Sequence, residues 1–465
     1  MDIETIVTPG LGNATHLIAN TDGDAVLVDP PRDAWRVLAV AARHGWRVTH
    51  ALETHVHNDY LSGALELRAS DGVEILAPAR GDYAFAHRPM DQGDVLDLGD
   101  LRFTARATPG HTPEHLAWEV TVSDRPDAML AVATGGSLLV GSVGRTDLLG
   151  PAAMDDLTAA QYRTIRELAV LPEGVLVLPT HGSGSFCAAG PVDGARTTTI
   201  GQERRTNPLL AAMDETAFRT AVLAGFGPYP TYYREMAPIN RAGPAVLGAA
   251  PTPARLDPAA VRAAISIGAH VVDARTRTAF AAGHLPGSLG IELDEEAFAS
   301  YVGWLVPFGA PIVLVLPEPI DAASAQAVAA LLRIGYDRVV GVLDGGMDAW
   351  LTAGGDVVAY PLLAHGDLAG EIKTGVAGTV LDVRDPNEWH DDGRIEGART
   401  ISLGSLVERI DELPRDGPIT VLCKSGTRAS IAASVLHAAG FDVRLVAGGG
   451  APDVLAELPA ARAAS

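Results

Sequence analysis

The sequence predicts an α/β protein built from several layered domains, and three observations carry that prediction. Short apolar runs such as AVLVD, VEILA and VLVLP alternate with stretches of helical periodicity such as AWRVLAVAARHG. Two later blocks match one another element by element, which marks a duplicated domain with a parallel sheet covered by helices. The length of 465 residues, set against about 150 residues per domain, leaves room for roughly three cores.

Taken in chain order, residues 1 to about 240 hold the alternating runs. The stretch from 228 to 257 turns rich in Pro and Gly and reads as a linker wrapping a surface. Domain limits are therefore expected at 1–245, 255–357 and 366–460. The first repeat block runs VVDARTRTAFAAGHLPGSLGI, PIVLVLPEP, a helix, then VVGVLDGGMDAWLTAGG. The second runs VLDVRDPNEWHDDGRIEGARTI, PITVLCKSGTRAS, a helix, then VRLVAGGGAPDVLAEL. Each has a strand ending in Asp and Arg (Asp273 and Arg275; Asp382 and Arg384), a central apolar strand and a terminal glycine cluster.

Bulk composition narrows the function classes. Hydrophobic residues at 47% and charged residues at 20% are those of an ordered globular chain. A net charge of −22 opposes nucleic acid and anionic membranes as partners. No apolar run approaches the roughly 20 residues of a membrane span, and MDIETIVTPG has no signal-peptide pattern. A cytoplasmic location is expected, with a homodimer as an open option. Cys187 and Cys423 are the only cysteines, so no disulfide framework forms and either thiol is free for chemistry or packing.

The second block delivers Cys423 from the buried strand ITVLC into KSGTR, with the helix ASIAASVLHAAG following at once. Backbone N–H groups of residues 424–428 can curl around the sulfur, the helix N-terminus adds partial positive charge, and Lys424 and Arg428 add full charges. Such settings move a cysteine pKa from about 8.5 to roughly 3.5–7.5, which favours a nucleophilic thiolate over a packing cysteine. In the first block the corresponding stretch is PEPIDAAS, without cysteine and with two prolines that remove N–H donors. Residues 255–357 therefore read as a scaffold.

A second candidate site lies in THVHNDY. Alternate residues of an extended segment face one side, so His55 and His57 can share a pocket. His111 follows the Pro-Gly turn of ATPGHTPEH, and His181 sits just past the apolar strand of VLVLPTHGSGSFC. With 14 histidines in the chain, one HxH is weak evidence, and Asp59 serves equally as a metal donor or as a cap of the helix expected in YLSGALELRAS. His44, His50, His87 and His115 show no comparable setting.

The Cys423 block, over about residues 366–460, resembles the rhodanese sulfurtransferases, whose active loop opens with cysteine and closes with arginine. Lys424, Ser425, Gly426 and Thr427 are the residues between, the length of a loop sized for sulfur; the related phosphatase loop is one residue longer. The resemblance implies that Cys423 carries a persulfide. Residues 1–240 resemble the metallo-β-lactamase superfamily, and within it the persulfide dioxygenases related to glyoxalase II, on THVHND, TPGHTPEH, TGGSLLVGSVGRTDL, PTHGSGS and TTIGQERRTNP. That resemblance implies an αββα sandwich followed by two rhodanese-like domains, and one divalent metal ion on its rim. Tyr60 replaces the final histidine of the family's HxHxDH, and Gly136 stands where the family has an aspartate ligand. The remaining donors are His55, His57 and His111, with Asp59 or His181 in reserve, for iron by preference and zinc as the alternative.

The implied function is oxidation of a thiol persulfide to sulfite, coupled to sulfur transfer through Cys423 with thiosulfate or a thiol persulfide as donor. Arg145 in GRTD, and Arg204 or Arg205, are candidates for the acidic part of the substrate, or for ordinary salt bridges. The alternatives are a mononuclear zinc hydrolase of thioesters or lactones with a sulfurtransferase tail, and a metal-free scaffold with only the rhodanese active. Cys187 is expected to pack.

Overall fold

The computed structural model describes residues 1–189, 194–211, 214–293, 297–459 and 463–464. It divides into two compact units, Met1–Pro251 with Ala329–Gly335, and Thr252–Val328 with Tyr336–Ser465.

The first unit is an αββα sandwich of two six-stranded sheets. The apolar runs form strands Asp24–Val28, Glu74–Pro78 and Leu176–Pro179. Between the sheets, Val26, Val28, Leu52 and Leu76 from one layer meet Phe103, Trp118, Val120 and Ala131 from the other. Burying each large side chain contributes about 1.5–3 kcal/mol, which is what fixes the two layers face to face. The helix Ala34–His44 turns Ala34, Val37, Val40 and Ala41 onto the outer face of the first sheet. It stops at Gly45, whose φ of 72° lets its N–H reach the carbonyls of Ala41 and Ala42.

Two sequence expectations change here. The helix expected in YLSGALELRAS begins only at Ala64 and runs Ala64–Asp71, so Asp59 caps nothing. The Pro- and Gly-rich stretch is a surface linker only in its second half, where 245–257 are largely exposed and the two units divide; before that it contains the helix Tyr233–Ala242, with Tyr233, Met236, Ala237 and Asn240 buried. Helical period survives around Pro238 in this helix, and composition alone hid it.

The second unit holds two five-stranded sheets. Every pairing in both is parallel. Strand by strand they have the same order: Arg255–Leu256, Val339–Leu343, Ile312–Val315, His270–Asp273, Leu289–Gly290, and then Leu362–Ala364, Val443–Ala447, Ile419–Leu422, Thr379–Asp382, Arg399–Thr400. The Asp–Arg signature does one job in both. Arg275 pairs with Asp273 at 2.6 Å and donates to Gly283 O at 2.8 Å, while Arg384 pairs with Asp382 at 2.7 Å and donates to Gly393 O at 2.9 Å. Each buried carboxylate is thus neutralised while the following turn is pinned. Among the described residues no helix is long and apolar enough to cross a membrane.

Candidate metal centre and cysteine loop

The strand Arg47–Leu52 leads into a bend that carries His55 and His57, both fully buried. Turns after two strands of the second sheet bring His111 and His181 alongside, also buried. Ring centroids of His55 lie 4.3 Å from His57, 4.9 Å from His111 and 5.4 Å from His181, and those of His111 and His181 are 5.2 Å apart. The four histidines expected to share a pocket are therefore in one cluster.

Hydrogen bonds on the far nitrogens decide where the lone pairs point. Thr54 gives its single hydroxyl hydrogen to Asp29 Oδ2 at 2.7 Å, so it can only accept from His55 Nδ1 at 2.8 Å. That leaves the lone pair on His55 Nε2. His111 Nδ1 donates to Arg145 O at 2.7 Å, and His111 Nε2 has no hydrogen-bond partner among the described residues. His181 Nδ1 faces Asn13 Oδ1 at 3.1 Å and Asp59 Oδ2 at 3.3 Å, both acceptors, so Nδ1 carries a proton. His57 Nε2 lies 3.3 Å from Asp29 Oδ1 and 3.2 Å from Glu53 Oε2, while its Nδ1 lacks a partner. His55 Nε2 and His181 Nε2 stand 3.4 Å apart. At that separation a proton or a cation between the two nitrogens makes the approach favourable. An imidazole oriented through its other nitrogen by a carboxylate or carbonyl is the usual state of a metal ligand, so the donor set fits a divalent ion.

Charge divides the cluster. Burial, helped by neighbouring imidazoles, holds His55 well below its usual range and His111 at about 3. Burial also disfavours charge on His57, but Asp29 and Glu53 outweigh it and push this ring up to about 10. Asp29 adopts a left-handed φ of 51° and accepts from Thr54 N at 2.7 Å and from the Thr180 hydroxyl. Such strain costs about 1–3 kcal/mol and persists where the surroundings hold it, as these bonds do.

Asp59 stands behind His181 rather than among the convergent donors. It accepts from Asn13 at 2.8 Å and is held near 2, with burial opposed and outweighed by His181. Tyr60, in place of a histidine, stacks on His57 at 4.4 Å and brings its hydroxyl within 3.1 Å of His57 Nε2. At Gly136 an added Cβ would lie 2.3 Å from His111 Cδ2, so the His111 ring fills the space a carboxylate there would need.

Arg145, expected at the substrate, is committed internally. Its guanidinium grips Asp147 at 2.7 and 2.8 Å, donates to Phe186 O and Gly227 O, and lies 4.5 Å over the Tyr229 ring. With 2% side-chain exposure it has no face for a ligand, and what it offers the site is its carbonyl, on His111. Arg204 pairs with Glu173 and Arg205 with Gln202 at the surface.

Sequence reasoning missed several supports. His115, set aside as ordinary, stacks on His55 at 4.8 Å and accepts from Gly136 N–H at 2.9 Å. Asn240 donates to the carbonyls of His57 and Tyr60 at 2.8 Å, and Tyr232 donates to Asp59 O at 3.0 Å. The i, i+4 spacing of His111 and His115 was a usable signal. For Asn240, more than 180 residues from its partner His57, there was none. A pocket lined by Glu53, Ser62, Tyr83, Phe85 and Asn240 reaches His55 and His57.

In the second unit, the strand Ile419–Leu422 ends at Cys423 and the helix Thr427–Ala438 starts from Gly426, whose φ is 100°. Cys423 is buried, and its Sγ accepts the Gly426 N–H at 3.1 Å. The terminal glycine cluster supports this turn: a Cβ on Gly450 would lie 2.4 Å from Cys423 O and 2.1 Å from Lys424 O. Thr427 and Arg428 belong to the first helical turn rather than to the loop. The cations are more balanced than the sequence suggests, since Arg428 pairs with Asp385 at 2.8 Å and Glu388 at 2.5 and 2.7 Å, and Lys424 with Asp392 at 3.0 Å. Lys424 and Ser425 are exposed. From the cysteine-free repeat, Arg277 reaches this turn: its Nη2 lies 3.4 Å from Thr427 Oγ1, and its Nη1 would be 2.9 Å from a Cβ on Gly426. Glu292 anchors it at 2.6 Å.

A histidine-rimmed sandwich of this topology, followed by paired parallel-sheet repeats, defines a metallohydrolase-type domain joined to sulfurtransferase-type domains. The chain belongs to the metallo-β-lactamase superfamily, whose model matches residues 7–181, and it carries two rhodanese-like domains at 257–353 and 365–451. The hydroxyacylglutathione hydrolase of Rhodobacter capsulatus is 32% identical over 252 residues, covering 48% of this chain and 91% of that protein. That of Rhizobium johnstonii is 28% identical over 228 residues, covering 44% and 84%. Among solved structures, a metallo-β-lactamase from Staphylococcus aureus is similar at a TM-score of 0.65 and 25% identity, covering 73% of this chain and 98% of its own.

Proposed function

We propose that the protein handles sulfane sulfur: the C-terminal domain transfers it through Cys423, and the histidine centre serves to oxidise the terminal sulfur of a small thiol persulfide to sulfite. The observation that carries this reading is the Cys423 turn, where a backbone N–H meets Sγ at 3.1 Å beside the Arg277 guanidinium.

In the transfer half, Cys423 Sγ attacks the outer sulfur of thiosulfate. The S–S bond breaks, sulfite leaves with the electron pair, and a persulfide remains on Cys423. A thiol acceptor then takes the outer sulfur and returns the cysteine. Gly426 N–H offsets negative charge on sulfur throughout, and Arg277 meets the anionic donor. In the oxidative half, persulfide, dioxygen and water give thiol and sulfite, dioxygen taking the electrons that sulfur loses. His55, His57 and His181, with His111 adjoining His181, would hold the divalent ion, iron on this reading, which when bound supplies the redox chemistry. The protein's share is to fix each tautomer through Thr54, Asp29, Glu53, Arg145 O and Asn13, and to exclude bulk water by burial.

The test measures two activities on one preparation. Glutathione persulfide should drive oxygen uptake and sulfite release that His55→Ala and His111→Ala abolish. Transfer of sulfur from thiosulfate to cyanide should vanish in Cys423→Ser alone. Absence of transfer by the unaltered protein would overturn the sulfurtransferase reading; transfer without oxygen uptake would overturn the oxidative half.

A second reading has its own support in the hydroxyacylglutathione hydrolases that match 44–48% of the chain. On that reading the ion is zinc, and the substrate is an acylglutathione thioester cleaved without oxygen uptake.

A further inference from the structure

Cys187 is fully buried, and the function described above does not use it. Its sulfur, one ring nitrogen of His111 and one of His181 all lie within 4.8 Å of one another. His111 Nε2 is itself without a partner among the described residues, on a side chain 1% exposed. The cysteine is held in place by its backbone: its carbonyl accepts from Arg145 N at 2.8 Å and its N–H donates to Ser185 Oγ at 3.2 Å. Arg145 is the residue whose own carbonyl orients His111. The same short segment therefore positions both the imidazole and the thiol.

The group formed by Cys187, His111 and His181 contains no carboxylate. Gly136 supplies no side-chain donor, and the His111 ring occupies the space beside it. Asp59 is turned onto Asn13 and His181, and Asp29 and Glu53 onto His57. A divalent ion held on the His111 and His181 side by imidazoles alone keeps its full charge in a buried site, which is costly. An anionic ligand offsets that charge, and Cys187 is the group within reach of two imidazoles that can become one.

We propose that Cys187 is a metal ligand, contributing a thiolate to the His111 and His181 side of the cluster in place of the missing carboxylate. This rests on the metal-centre reading of the histidines. On binding, the thiol releases its proton to solvent and sulfur gives a lone pair to the ion. A mixed imidazole and thiolate set selects a borderline-soft ion, ferrous iron or zinc, over magnesium or manganese.

Cobalt(II) tests this without turnover, because a cysteine thiolate on cobalt gives a near-ultraviolet charge-transfer band that imidazole alone does not. The full chain is stripped of metal and titrated with cobalt(II), as unaltered protein and as Cys423→Ser, Cys187→Ser and His55→Ala with His111→Ala. The expected result is one ion per chain with the band, both retained in Cys423→Ser. Since the chain has two cysteines, a band surviving Cys423→Ser can only come from Cys187, so the result holds even if Cys187→Ser fails to fold. Where Cys187→Ser folds, it should lose the band and bind cobalt more weakly, by roughly tenfold or more. Cobalt bound at one per chain without the band would overturn the ligand role of Cys187 and leave the histidine centre standing. No stoichiometric binding, or binding unchanged in the double histidine variant, would overturn both.

Discussion

Gly136 and Tyr60 are the two residues at which the first domain departs most from its superfamily's ligand pattern, and the structure makes both departures built-in rather than vacant. A carboxylate cannot simply be put back at 136, because its Cβ would sit 2.3 Å from the His111 ring. Gly136→Asp is therefore expected to lower metal content and to destabilise the protein by about 1–3 kcal/mol from overpacking. Elemental analysis and thermal unfolding check this, and an increase in bound metal would contradict it. In the second unit the sensitive residue is Gly426. Alanine there meets an unfavourable φ of 100° and lies 2.9 Å from Arg277. Backbone strain of about 1–3 kcal/mol displaces the Gly426 N–H from Cys423 Sγ, so thiosulfate-to-cyanide transfer should fall by at least about tenfold while the fold persists. His55, His57, His111 and His181 were legible because each follows an apolar strand with a turn signal. Sequence left two readings open for Arg145, substrate contact or salt bridge, and the structure shows the salt bridge, to Asp147 two residues on.

The helix Thr427–Ala438 ties the active turn at one end to a histidine pair at the other. His284 Nδ1 donates to Phe280 O at 2.7 Å, and its Nε2 meets His437 Nδ1 at 3.1 Å. Burial holds His284 down at about 4 and lowers His437 as well. The unfolded chain, with ordinary histidines near 6.5, then binds protons more readily than the folded one. The stability from this pair is complete above about pH 6.5 and declines as pH falls towards 4. Denaturant unfolding of the protein between pH 7 and 5 should show that decline, reduced in His437→Asn; an identical slope in the variant would contradict the assignment. Among elements, the duplicated order of strands was readable from the repeated Asp–Arg and glycine signatures, which recur because each repeat pins its turn the same way. The helix Tyr233–Ala242 was not: its Pro238 and the prolines and glycines around it resemble a linker, and its role depends on Asn240 reaching His57 across the fold.

For the whole chain, the two chemistries sit in separate compact units on one polypeptide. Side chains without shared partners act independently, so Cys423→Ser should leave metal content unchanged, and His111→Ala should leave thiosulfate-to-cyanide transfer within about twofold of the unaltered protein. Covalent linkage raises the effective concentration of one site's product at the other; it does not require that either site fail without its neighbour. The central claim is that the buried histidine cluster holds a divalent ion despite the missing carboxylate. Elemental analysis of the purified full chain and of the variant combining His55→Ala with His111→Ala tests it most directly. The account predicts close to one iron or zinc per unaltered chain and almost none in the variant; equal metal content in the two would contradict it.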